Sequence, residues 1–113
     1  MALVVVLAAV ASLGLTGCAG GPVTVNHRIL LTYVNQGASA DALNTGVLGT
    51  NAHGCITVGR AVLVVPTGSR LNDDGSIDIG GTHYEQGDTV SLGGGVGDAP
   101  AHSPCGAGDY WWV

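Results

Sequence analysis

The sequence predicts a small all-β domain, an antiparallel β-barrel or sandwich built of short strands and hairpins. Two observations favour this class. Glycine accounts for 20 of the 113 residues, and valine and threonine are frequent among the others. Valine and threonine prefer the pleated backbone of strands, whereas glycine favours the tight turns that join them. In addition, no segment after residue 18 has the apolar spacing of a helix of three turns. No repeat or second domain is indicated.

The first predicted elements are extended segments separated by a loop. Residues 23–34 largely alternate between apolar and polar side chains, which predicts one long strand or two shorter ones. Residues 36–46 are predicted as a loop, in which Ser39 caps a single helical turn from Asp41 to Asn44. A short strand is expected at residues 47–50, followed by a turn.

The central strand of the predicted sheet is residues 61–65. All five side chains are apolar, and a strand without a polar face is normally covered on both sides. We expect residues 55–58 to form a hairpin with this strand across Gly59-Arg60. Pro66 ends the strand because proline has no N–H group to donate.

The clearest turn signals lie between residues 74 and 92. Asp74-Gly75 and Gly80-Gly81 are dipeptides typical of two-residue hairpin turns, and the residues between them alternate in polarity. Strands are therefore predicted at 76–79, 82–84 and 89–92. A glycine-rich loop at 93–104 and a final strand at 109–113 follow, which places Trp111 and Trp112 on opposite faces.

An uncharged apolar segment precedes the predicted domain and ends near Cys18. Residues 2–15 carry no charge, and the run is shorter than the roughly 20 residues of a membrane-spanning helix. Its length, and the small residues that follow it, are typical of an export signal peptide.

The residues Leu15-Thr16-Gly17-Cys18 resemble the lipobox of bacterial lipoproteins. The resemblance implies that a diacylglycerol is attached to the Cys18 thiol, that the chain is cut just before Cys18, and that the new amino group is acylated, for example with palmitate. Residues 1–17 would then be the signal peptide, 18–22 a tether and 23–113 the single domain. Two or more acyl chains anchor a protein stably, at roughly 0.8 kcal/mol per buried methylene.

The segment departs from the usual signal peptide in one respect. No Lys or Arg precedes the apolar run, so either the true start lies upstream or the segment relies on hydrophobicity alone. Two other interpretations stay open. One is secretion without lipid after a cut near Ala19, and the other is a buried apolar helix of a cytosolic domain.

The charge of the chain restricts its partners. The formal net charge is −5 at pH 7, lysine is absent, and the basic residues other than histidine are Arg28, Arg60 and Arg70. Nucleic-acid binding needs a basic face, and so does binding to anionic lipid by charge. With only three arginines and no lysine, the chain is not expected to bind nucleic acid, or anionic lipid by charge. The expected partners are the membrane, through the N-terminal lipid, and an envelope protein or glycan.

Cys55 and Cys105 remain once Cys18 is lipidated. Two cysteines in an exported domain most often form a disulfide, which is the prediction here. The alternative is a metal site of His53, Cys55, His102 and Cys105, because two thiolates and two imidazoles can bind zinc or copper(I). The spacings of these residues do not match a recognised zinc motif.

No motif for catalysis or cofactor binding is present, so we predict no catalytic residue, no cofactor and no enzymatic activity. Ser69 and Ser76 do not occur in the Gly-x-Ser-x-Gly nucleophile elbow, and the glycines at 93–97 lack the lysine of a phosphate loop. The segment 72–75 has its glycine in the fourth position, whereas a calcium loop requires it in the sixth.

Together these observations predict a non-enzymatic binding or structural module of the cell envelope. Its lipid would hold it outside the cytoplasm, at the cell membrane or outer envelope. Metal binding is the alternative function. One of the two tryptophans is expected to fill the core, in a chain that lacks phenylalanine, and the other to cover an edge.

Overall fold

The computed structural model describes residues 20–34 and 42–113, and these form an all-β domain. The strands are β1 (Gly21–Val25), β2 (Arg28–Tyr33), β3 (Ala42–Thr50), β4 (Ile56–Val58), β5 (Ala61–Pro66), β6 (Arg70–Leu71), β7 (Ile77–Ile79), β8 (Thr82–Tyr84), β9 (Thr89–Gly97) and β10 (Tyr110–Trp112). Within the described residues no helix is long and apolar enough to cross a membrane. The predicted all-β class is confirmed.

Seven of these strands form one sheet whose pairings return on themselves. The order is β1-β2-β5-β10-β9-β3-β4, and β4 also pairs with β5. One edge of β5 therefore carries β10, while the other edge pairs first with β4 at Ala61 and Val62 and then with β2 from Val64 to Pro66. As a result β5, β10, β9, β3 and β4 form a closed ring, and the β1–β2 hairpin is attached to it. The other three strands form a small sheet, β6-β7-β8.

Two pairings of the large sheet are parallel, which the sequence analysis did not predict. β2 pairs with β5, and β5 with β10, in the parallel direction, so the sheet is mixed rather than purely antiparallel. In each case two or more strands intervene in the sequence, and parallel neighbours require such a long connection. Hairpin turns in a sequence reveal only the antiparallel partners that follow each other directly.

The predicted turns are mostly confirmed. Residues 23–34 form two strands, and the turn between them places Asn26 and His27 at φ 50° and 65°, the left-handed region that two-residue hairpin turns use. Hairpins also form across Gly59-Arg60 and Gly80-Gly81. Pro66 is the last residue of β5, as expected.

Two predicted loops are partly wrong. β3 begins at Ala42, so residues 42–44 are extended and not part of a helical turn, while Ser39 and Asp41 lie outside the described residues. β9 continues to Gly97, although a loop was predicted from residue 93. Gly94 explains the second difference. A Cβ there would collide with the carbonyl oxygen of Trp112, so this glycine permits a close approach of two strands and does not mark a loop.

The buried side chains form two clusters on opposite faces of the large sheet. The first contains the inward side chains of the ring together with Leu71 and Ile77 of the small sheet. The second lies on the outer face of β2, β5 and β10 and consists of Leu31, Cys55, Val62, Val64, Cys105 and Tyr110. Successive residues of β5 belong to different clusters, so this strand is covered on both faces, as predicted.

Candidate functional site

A disulfide between Cys55 and Cys105 joins the residue before β4 to the segment 98–109, which contains no strand. The two Cα atoms are 5.8 Å apart, although 50 positions separate the residues in the sequence. The exposed fractions of the two residues are only 0% and 2%. The predicted pairing is confirmed.

The alternative metal site is not assembled in this structure. Both sulfur atoms are bonded to each other, so neither is a thiolate that could bind zinc or copper. The His53 imidazole lies against Gly106, where an added Cβ would be 2.8 Å from Nε2, and His102 is exposed. Across residues 20–34 and 42–113, no group of three or more His, Cys, Asp or Glu residues is arranged to hold a metal ion.

Hydrogen bonds hold the segment 98–109 on the outer face of the sheet. The hydroxyls of Ser103 and Tyr110 are 2.9 Å apart, and the Cys105 N–H group donates to Ser103 Oγ at 3.2 Å. The indole N–H of Trp112 donates to the Asp98 carbonyl at 3.0 Å. The segment is therefore fixed at Asp98 and in its middle, although it contains no strand.

A shallow hollow of about 700 Å³ lies over the small sheet. Its polar lining includes Asn72, Asp74, Asp78 and His83. Asp78 and His83 are directly opposite each other on β7 and β8, and Asp78 Oδ1 lies 2.7 Å from His83 Nδ1. The amide of Asn72 donates to the second carboxylate oxygen of Asp78 at 3.0 Å.

The hydrogen bonds in this hollow stabilise the charged form of each group. The Asn72 amide, and then His83, lower the pKa of Asp78 below its usual value of 3.8. The hydrogen bond to Asp78 raises the pKa of His83 above 6.5. The hydroxyl of Ser76 lowers the pKa of Asp74 in the same way. The hollow therefore presents two carboxylates and an imidazole, each with a hydrogen-bonded neighbour that favours its charged form.

Ser76 is not arranged as a nucleophile in this hollow. It is 2% exposed, and its hydroxyl donates to Asp74 at 2.6 Å and accepts from Asn72 at 3.0 Å. In a catalytic triad the hydroxyl donates to an imidazole, whereas His83 is paired with Asp78. The contacts of Ser76 with Asp74 instead close the turn between β6 and β7.

The strand that carries His83 was predicted from the sequence, but the pairing of His83 with Asp78 was not. The predicted turn at Gly80-Gly81 implies that Asp78 faces His83, so counting outward from the turn would have found the pair. Asn72 could not be found in this way. Leu71 pairs with Ile77, so the turn before β7 spans residues 72–76 and is longer than the two-residue turn predicted at Asp74-Gly75.

A second concavity, of about 390 Å³, lies beside the amino ends of β5 and β10. Arg60, Asp109 and Val96 are among its lining residues, and Val96 is 79% exposed. Trp111 belongs to the inner cluster, and its Nε1 is a buried donor without a hydrogen-bond partner among the described residues. Trp112 packs on the outer cluster, so the two rings lie on opposite faces, as predicted.

One edge of the large sheet collects the amino end of β1 and the carboxyl ends of the three parallel strands. Gly21 pairs with Thr32, Tyr33 with Pro66 and Trp112 with Val64, which brings these strand ends to the same level. We call this surface the Tyr33 edge; it consists of Gly20, Tyr33, Val34, Thr67, Trp112 and Val113.

The Tyr33 edge is held together by an aromatic pair and by backbone contacts. The rings of Tyr33 and Trp112 are 5.1 Å apart at 64°, an edge-to-face arrangement. The Tyr33 hydroxyl donates to the main-chain oxygen of Val113 at 2.6 Å, and the Thr67 N–H group donates to the Tyr33 carbonyl at 2.8 Å. The opposite side of the sheet, which we call the Arg60 end, carries Arg28, Arg60 and Asp109 at the starts of β2, β5 and β10.

The predicted signal peptide at residues 1–17, Cys18 and Ala19 lie outside the described residues. β1 begins at Gly21, so Gly21 and Pro22, which were assigned to a tether, lie in a strand. Gly21 follows Cys18 by three positions, and three residues reach at most about 11 Å. Any group attached to Cys18 is therefore confined to the neighbourhood of the Tyr33 edge.

Comparisons with known proteins add no relative to this description. The chain matches no protein-family model, and no curated protein and no solved structure matches it significantly.

Proposed function

We propose that this chain is a lipid-anchored protein of the cell envelope, whose single β domain acts as a non-enzymatic binding or structural module. Acyl chains on Cys18 would hold it at the outer surface of the cell membrane or in the outer envelope. The observation that carries the proposal is the tetrapeptide Leu15-Thr16-Gly17-Cys18 at the end of an uncharged apolar run, only three positions before the first strand.

The disulfide supports an extracytoplasmic location. Disulfides persist in oxidising compartments and are rare in the cytosol, where thiols are kept reduced. The bond between Cys55 and Cys105 is buried and crosses the outer cluster, which is typical of a structural bridge in a small exported domain. This observation does not depend on the lipobox, so the two lines of support are independent.

The distribution of polar groups supports binding over catalysis. In the hollow over the small sheet, each named carboxylate already accepts a hydrogen bond from a neighbouring side chain, and Ser76 is buried in a turn. Polar groups held in place by such hydrogen bonds are suited to recognising a polar surface, such as a glycan or a protein of the envelope. The geometry gives no comparable support to zinc or copper binding, because the disulfide uses both sulfur atoms.

The proposal is tested by following where the protein is found when Cys18 is changed. The unaltered chain and the variant Cys18→Ala are expressed in a bacterium, and the membranes are separated by flotation in a density gradient. We expect the unaltered protein to float with the membranes in high salt and to partition into detergent. The variant should lose acylation and cleavage at residue 18, as seen by gel mobility and mass.

The matched control is Ala19→Ser, which changes a neighbouring small residue and leaves the thiol of Cys18 in place. It should behave as the unaltered chain does. If Cys18→Ala is processed and located in the same way as the unaltered protein, the cysteine is not the attachment site and the proposal is refuted.

A further inference from the structure

We propose that the Tyr33 edge lies against the lipid bilayer, with the Tyr33–Trp112 pair at the depth of the headgroups. This inference rests on the proposed anchoring at Cys18 and adds which surface of the domain faces the membrane. The partner is the lipid interface itself.

The short connection to Cys18 limits how the domain can be oriented. Acyl chains on Cys18 place its backbone at the membrane surface, and the three following residues reach at most about 11 Å. Gly20 is already part of the Tyr33 edge, where a Cβ would be 3.3 Å from Thr67 Cγ2. The far side of β5 is about 20 Å away, at roughly 3.3 Å per residue along the strand. The Tyr33 edge is thus the part of the sheet closest to the lipid.

The chemistry of the Tyr33 edge suits an interface between lipid and water. None of its six described residues has a charged side chain, and Val34 is 48% exposed. Charged side chains lie at the Arg60 end instead, where Arg28 is the first residue of β2 and Arg60 and Asp109 directly precede β5 and β10. A partly apolar surface without charged side chains can enter the headgroup region without removing a side-chain charge from water, which burial would penalise.

The aromatic pair has the character of an interfacial anchor. Tyrosine and tryptophan concentrate at membrane interfaces because one part of each ring is apolar and the other makes a hydrogen bond. Here both rings are partly exposed, and both polar atoms already donate to main-chain oxygens of the protein, those of Val113 and Asp98. The rings can therefore approach lipid while their hydrogen bonds remain satisfied.

The experiment places a fluorescent probe at either end of β5. The variants Thr67→Cys and Arg60→Cys are labelled at the new cysteine in the complete lipidated protein and reconstituted into phosphatidylcholine vesicles. Both side chains are exposed, and they flank the same strand, so each variant is the control for the other. Brominated phosphatidylcholine then quenches any probe within the bilayer. The intact mass of each labelled protein establishes its lipid and disulfide before quenching is measured.

We expect the Thr67 probe to lose most of its fluorescence in brominated vesicles and the Arg60 probe to keep its fluorescence. Adding anionic lipid should not change the result, since the Tyr33 edge has no basic side chain. As a second measurement, Trp111→Phe leaves Trp112 as the tryptophan, and its emission should be quenched by the same lipids.

If the protein is lipidated but neither the Thr67 probe nor Trp112 is quenched, the inference is wrong and the proposed anchoring stands. Stronger quenching at Arg60 would mean the opposite orientation and would also overturn it. A mass without lipid would instead refute the proposed function, and the inference with it.

Discussion

Replacing both Cys55 and Cys105 by alanine should destabilise the domain substantially. The bond closes a loop of 50 residues, and the chain-entropy model assigns about 4 kcal/mol to a loop of this length at 25 °C. Loss of the two buried sulfur atoms would add to this value. Small domains unfold at a cost of about 5–15 kcal/mol, so the variant would retain only part of its stability.

The assay is equilibrium unfolding in urea, followed by tryptophan fluorescence, for the unaltered protein and for the double variant. The midpoint of the double variant should fall, and the free energy of unfolding should decrease by about 4 kcal/mol. Reduced unaltered protein should lose somewhat less stability than the double variant, because it keeps its two buried sulfur atoms. Because the double variant has no disulfide, the reductant should leave its midpoint unchanged, which provides the control.

Two results would refute this reasoning. The first is a decrease of less than about 1 kcal/mol in the free energy of unfolding of the double variant. The bridge would then not restrict the unfolded chain as the chain-entropy model assumes. The second is a double variant that the reductant still destabilises, because another disulfide would then be present. Hydrogen exchange adds a local check, since amides of residues 98–109 should exchange faster once Cys105 is released from the outer cluster.

Three further predictions concern single side chains. His83 should titrate above pH 6.5 by NMR, and Asp78→Asn should shift its pKa back toward 6.5, because the hydrogen bond to the carboxylate raises it; an unchanged pKa in the variant would contradict this assignment. Gly94→Ala should lower the free energy of unfolding by about 1–3 kcal/mol or more, since its φ is 151° and its Cβ meets the Trp112 carbonyl. Gly93→Ala is the control, because a Cβ there has no neighbour closer than 3.9 Å, and equal losses in the two variants would disprove the argument. Trp111→Phe should change stability by less than about 1 kcal/mol, since it also removes a buried unpaired N–H group, whereas Trp111→Ala should cost about 3–5 kcal/mol; a loss in Trp111→Phe as large as that in Trp111→Ala would contradict this prediction.

The pKa shifts of Asp78 and His83 also fix how their contact depends on pH. The pKa of Asp78 is lowered by folding. Its contribution to the stability of the fold is therefore present above pH 3.8 and is lost as the pH falls through the lowered pKa. The pKa of His83 is raised by folding. Its contribution to the stability of the fold is therefore complete below pH 6.5 and is lost as the pH rises through the raised pKa. The contact therefore stabilises the domain most between about pH 4 and 6.5.

Much of the local structure could be predicted because it is determined by residues that are close together in the sequence. The turns at Gly59-Arg60 and Gly80-Gly81 lie between strands that follow each other directly, and dipeptides of this kind fix the register of such a hairpin. The apolar strand before Pro66 was recognised as central because it has no polar face. The disulfide followed from the number of cysteines remaining after Cys18.

The features that were missed depend on residues distant in the sequence. The parallel pairings of β5 join segments separated by whole hairpins, and no local signal reports them. Gly94 was interpreted as part of a loop because the sequence cannot show that another strand passes close to it. The Tyr33 edge was missed for the same reason, since its members come from both ends and the middle of the chain.

The central claim is that Cys18 carries the lipid and that Cys55 is bonded to Cys105. The measurement that tests it most directly is the intact mass, without reduction, of the protein isolated from its native membrane. We predict a chain that starts at Cys18, heavier than the polypeptide by its acyl groups and lighter by the two hydrogen atoms lost in the disulfide. A chain that retains Met1 without lipid, or one with two free thiols, would contradict the account.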